Sequence, residues 1–113
     1  MITLEQRINA FAELGHILTD AASPQPSLPE AAGFRKLMDR QVNNNKWFTP
    51  ASVKLAVEAI GKMLREERLR EWIKKYTVAD DPAKEKIIAV IMAGNIPLVG
   101  FHDFLCVLMS GQK

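Results

Sequence analysis

The chain has 113 residues, with 15 Lys and Arg against 13 Asp and Glu, 48% hydrophobic residues and one cysteine. That length makes one domain at most and suffices to bury a core without a disulfide or metal staple. A net charge of +2 with both signs interspersed excludes a strongly basic nucleic-acid binder, and 25% charged residues exclude wholesale disorder. Cys106, standing alone, makes neither an internal disulfide nor a cysteine zinc site, so a reducing, cytoplasmic setting is expected. No secretory signal is read at the N-terminus. The longest apolar run, Ile87–Ala93, falls far short of the ~20 residues that cross a bilayer.

In chain order, Leu4, Ile8, Phe11, Leu14 and Leu18 recur at spacings of four and three, one face of an amphipathic helix. Thr3 and Gln6 make a capping box at its start. Residues 21–29 hold three prolines and read as an exposed connector. Ser27 with Glu30 predicts a second capping box and a helix with Phe34, Leu37 and Met38 on its apolar side, ended by Asn43-Asn44-Asn45. Thr49 as N-cap and Pro50 as first helical residue open a third helix, striped by Val53, Ala56, Val57, Ile60, Met63 and Leu64. A break is expected near Arg65, then a fourth helix on Leu69, Trp72 and Ile73, ending around Lys75.

The last third differs. Ile87-Ile88-Ala89-Val90-Ile91-Met92-Ala93 has no polar face, is rich in β-branched residues and stops at Gly94-Asn95. It reads as a strand buried on both sides. A competing reading makes Asp81 an N-cap, Pro82 the first residue and 82–93 a helix closed by Gly94, which would leave the chain all-α. As a strand the run lacks a partner, since no second strand is legible in the chain. A turn at Asn95-Ile96-Pro97 and a helix over Leu98–Ser110, closed by Gly111, complete the reading. The expected chain is mainly α: a helical N-terminal region over 1–80, then over 81–113 one β-strand and α-helix of an α/β unit.

Few residues invite chemistry. Cys106, late in an apolar helix, fits a buried structural thiol better than a nucleophile. His16 reads as a surface histidine, and Asp103 beside His102 is explained by the helix dipole. No ligand set with metal spacing, phosphate loop or dinucleotide fingerprint is present. The charges from Arg65 to Lys75 alternate in sign, as on a solvated helix face, and Trp47-Phe48 reads as a staple before the third helix. The Gly94-Asn95 turn at the end of the run is a place where a sheet would put a ligand. There Asn95 is a neutral amide able to stabilise an oxyanion.

The stretch from Val90 through Gly94-Asn95-Ile96-Pro97 to Leu105 resembles the acyl-CoA reductase family, which includes the fatty-acid reductase of bacterial bioluminescence. Trp47-Phe48-Thr49-Pro50 and the Leu64–Trp72 helix resemble the same family's N-terminal region. The resemblance implies an aldehyde-dehydrogenase-like nucleotide-binding domain and NADPH as cofactor. It also implies reduction of a fatty acyl-CoA or carrier-bound acyl group to an aldehyde through an acyl-cysteine. Ala93-Gly94-Asn95-Ile96-Pro97 matches the superfamily's Pro-Trp-Asn-Phe-Pro turn, so Asn95 would donate to the oxyanion. Met92, Ala93 and Gly94 would lie along the nicotinamide through their backbone, although Ala93 and Gly94 replace the usual Pro and Trp. Cys106 does not match the family's nucleophile. The chain is therefore expected to be an N-terminal fragment, inactive alone. The alternative is a stand-alone helical interaction domain that self-associates through its apolar C-terminal segment.

Overall fold

A computed structural model describes residues 2–113 and contains five helices: α1 (Leu4–Ala22), α2 (Pro29–Asn44), α3 (Pro50–Met63), α4 (Glu66–Ile73) and α5 (Phe101–Met109). Their ends follow local chemistry. The Thr3 hydroxyl accepts from the Gln6 N–H while Gln6 returns its side chain to the Thr3 N–H, the reciprocal pair expected of the capping box. Thr49 caps α3 through the Ser52 N–H, with Pro50 behind it. Leu64 closes α3 and Arg65 opens α4, so the break falls where the charges begin. α4 stops at Ile73, short of Lys75.

The second capping box is not formed. Leu28 stands at the N-cap of α2 without a side-chain bond. Asp20 of α1 instead accepts the Ser27 and Leu28 N–H groups through Oδ2, at 2.9 and 2.8 Å. Its carboxylate outcompetes a hydroxyl because a charged acceptor makes the stronger bond. Arg35 reaches back from α2 to the carbonyls of Ala21 and Ser23, 3.0 and 2.7 Å away, and fastens the proline connector.

The apolar stripes meet in one core. Ile8, Phe11 and Leu18 of α1 pack with Val53, Val57 and Ile60 of α3, Leu64 between the helices, Leu69 and Ile73 of α4, and Phe101, Leu105 and Met109 of α5. α3 is the most extensive neighbour of α1. Two glycines allow their close approach. A Cβ on Gly15 would lie 2.7 Å from Leu64 Cβ and 3.1 Å from its carbonyl oxygen, and one on Gly61 would lie 2.5 Å from Thr19 Oγ1. Phe11 receives Phe101 and Phe104 edge-on, with ring centroids 6.5 and 6.4 Å away, so α5 joins the same core.

Between α4 and α5 the chain makes no regular element. Among the described residues there is no strand, and 82–93 is not helical either. The regular elements are thus all α, and the expected α/β unit is not formed as such. Branched residues at 87, 88, 90 and 91 disfavour a helix, and extended backbone becomes a strand only beside a neighbour. The run takes no regular element, with Ile87 91% and Ile91 98% exposed. The expected helix over Leu98–Ser110 starts later, at Phe101, because Leu98 takes a left-handed φ of 57°. Gly111 closes α5 with φ 85°, as a helix-ending glycine should. This projecting segment makes the radius of gyration 15.2 Å, against about 13 Å for a fully compact chain of this length.

The glycine contacts are testable by urea unfolding. Gly15→Ala should cost about 1–3 kcal/mol through overpacking, although alanine is the better helix former. Gly33→Ala, where nothing lies within 4 Å, should gain about 0.5–1 kcal/mol.

Candidate functional site

The residues singled out by the sequence lie on the projecting segment. Met92, Ala93, Gly94 and Asn95 are all exposed. The Gly94 carbonyl accepts a 2.7 Å bond from Asn45 Nδ2, which ties the turn to the end of α2. The Met92 side chain lies over Gly100, where any Cβ would collide with it. Nothing stands within 4 Å of the Cβ position on Gly94, so that backbone is open to an approaching group. Asn95 is displayed beside it with its amide free for solvent or a ligand. None of the four lines either of the clefts below, so the turn is a surface feature of this chain.

The larger cleft, about 700 Å³, runs between α1 and α5. Ala10, Phe11, Leu14, Phe104 and Leu108 form an apolar floor, and Asp80, Asp81, Glu85 and Lys113 stand at the rim. Arg7 closes one end. It is only 8% exposed, and its guanidinium donates to four carbonyls: Met109 at 3.1 Å, Ile2 at 2.6 Å, Asp80 at 3.0 Å and Ala79 at 2.8 Å. Asp80 also accepts the Leu4 N–H at 2.8 Å. Arg7 was not among the residues noticed from sequence. The available signal was its place in the series Leu4, Arg7, Phe11, Leu14, a charge at a core position of the stripe.

The smaller cleft, about 330 Å³, holds Cys106 and His102 against Trp72 and Tyr76. The Cys106 sulfur lies 3.6 Å from His102 Nδ1, one helical turn away. The imidazole rests at 5.9 Å from the Trp72 ring. Burial pushes the Cys106 thiol up, and the nearby Asp103 carboxylate adds to the effect. A raised thiol is a poor nucleophile at neutral pH, but Cys106 is half-buried on the wall of a cleft and not the buried thiol expected from the sequence. His16 is exposed, as expected. No group of three or more metal-ligating side chains occurs among the described residues.

The alternating charges after Arg65 do lie on exposed helix surface, but their principal ion pair leaves the helix. Arg70 makes a bidentate pair with Glu5 of α1 and also holds Glu66 at 3.0 Å. The Arg70 guanidinium holds the Glu5 carboxyl below the usual carboxylate range. Phe48 packs against the core, whereas Trp47 is 72% exposed, so only one of the two aromatics does the stapling. No helix among the described residues is long and apolar enough to cross a membrane. No family model, curated protein or solved structure matches this chain.

Two measurements check these environments. Arg7→Met should lower unfolding stability by about 2–4 kcal/mol, since it strands several carbonyls, and should speed amide exchange in α5. Alkylation of Cys106 by iodoacetamide should gain rate only well above the pH, about 8.5, at which a free thiol ionises. An inflection below that pH would show an activated thiolate.

Proposed function

We propose that this chain is the N-terminal part of an NADPH-dependent fatty acyl-CoA reductase that lacks, within these residues, the cysteine nucleophile. The reading rests on the resemblance over Val90–Leu105. The observation that supports it best is the order apolar run, Gly-Asn turn and helix, each without a sheet to join. In this reading the acyl group passes from CoA to a cysteine outside the 113 residues, and the free thiol of CoA leaves. NADPH, when bound, supplies the hydride that takes the acyl-cysteine to the aldehyde level. The open backbone at Gly94 admits the nucleotide, Asn45 steadies it by holding the Gly94 carbonyl, and the Asn95 amide donates to the oxyanion.

A second reading, favoured by the bare Ile87 and Ile91, is a helical module that self-associates through this segment. Light scattering with and without NADPH separates the two. A stable oligomer of the 113-residue chain, indifferent to nucleotide, supports the module.

For the reductase, Asn95→Ala in the polypeptide that includes the nucleophile should slow acyl-enzyme formation about a hundredfold, read by stopped-flow release of CoA. An unchanged rate removes Asn95 from the oxyanion role.

A further inference from the structure

Two soft donors that the reductase reading leaves unused face each other across one turn of α5. His102 and Cys106 stand four residues apart, on one side of the helix. Nδ1 of the imidazole lies 3.6 Å from the thiol sulfur. Both line the smaller cleft together with Trp72 and Ile73 of α4. His102 is exposed and Cys106 half-buried, so solvent and solutes reach the pair.

The spacing suits a bound ion. With metal bonds of about 2.3 Å to a thiolate and about 2.0 Å to an imidazole nitrogen, an ion bridging 3.6 Å subtends an angle of about 113°. That angle lies between tetrahedral and trigonal coordination, so neither side chain has to move. With its proton on Nε2, the imidazole offers the Nδ1 lone pair. The thiol releases its proton to water and binds as the thiolate. The Asp103 carboxylate, near enough to help push the thiol up, adds negative charge beside the pair.

Donor type selects the ion. Structural zinc takes four protein ligands and catalytic zinc three, and no set of three occurs among the described residues. Calcium and magnesium take oxygen ligands. A thiolate and an imidazole suit a soft ion, and the rest of the cleft agrees: Met109 also lines it, and the Trp72 ring stands 5.9 Å from the imidazole. We propose that His102 Nδ1 and Cys106 Sγ bind one Cu(I) ion, whose remaining coordination faces the cleft. The site uses no residue of the Gly94-Asn95 turn and stands or falls apart from the reductase reading.

The test is anaerobic titration of the 113-residue chain with Cu(I) buffered by bicinchoninate, whose colour reports the copper it retains. Each chain should withdraw one ion, and the His102 Nδ1 resonance should shift in nitrogen NMR. Outer-shell partners alone are worth about 10–100-fold in metal affinity, so His102→Gln and Cys106→Ser should each weaken binding at least about a hundredfold. His16→Gln should leave it unchanged. An unmoved Nδ1 resonance, which needs no variant to read, overturns the site. Binding by His102→Gln as tight as by the parent chain reveals a bare thiol adduct and overturns it equally. So does one ion for every two chains. An equal hold on zinc overturns the choice of Cu(I).

Discussion

Arg7 is the one charged residue buried among the described residues, and none of their carboxylates pairs with it. An ion taken out of water costs several kcal/mol unless its donors are satisfied. Four backbone carbonyls do this here, from Ile2, Ala79, Asp80 and Met109. One of them, Met109, belongs to the last turn of α5, where free carbonyls concentrate the negative end of the helix dipole and favour a cation. The same group therefore fastens the start of α1, the exit from α4 and the end of α5. Removing it would leave α5 held to α1 by apolar packing alone.

That clamp has a geometric consequence. Residues 79–80 and 109 are pinned close together, so the twenty-eight or so residues between must leave the core and come back. α5 takes the last eight of them on the way back to Met109, packed through Phe101, Leu105 and Met109 itself. The rest form the projecting loop, whose apolar residues have no layer to bury them. Among the described residues, Asn45 holds Gly94, Met92 lies on Gly100, and Gln112 and Lys113 hold Glu85, Lys86 and Ile88. A loop of this length is usually either functional or a linker. The clamp makes it a display of the very segment that carries Gly94 and Asn95.

Most of the helical part was legible because its signals are local. A capping box at Thr3, a Pro50 behind Thr49 and stripes at three- and four-residue spacing each act within one turn, and they appear where they were read except at Leu37 of α2, which is exposed. What escaped was non-local. Asp20 of α1 takes the place of Ser27 at the start of α2, and Arg70 reaches across to Glu5 of α1 as well as to Glu66 of its own helix. Arg7 was visible as a charge in a core stripe, yet nothing in the stripe says that its partners lie at residues 79, 80 and 109. At the candidate site, the turn at Gly94-Asn95 was legible as a turn, whereas its lack of a surrounding cleft depends on packing that no local pattern encodes.

The run 87–93 shows where the two kinds of signal part. Branched residues disfavour a helix whether or not a neighbour is present, and that local preference is met: the run is not helical. A strand, however, is a property of two segments, since half its hydrogen bonds belong to another chain or another stretch of this one. Sequence composition can supply the preference and the apolar faces but not the partner. The two main-chain bonds between Lys113 and the Lys86–Ile88 stretch are the start of such a partnership among the described residues.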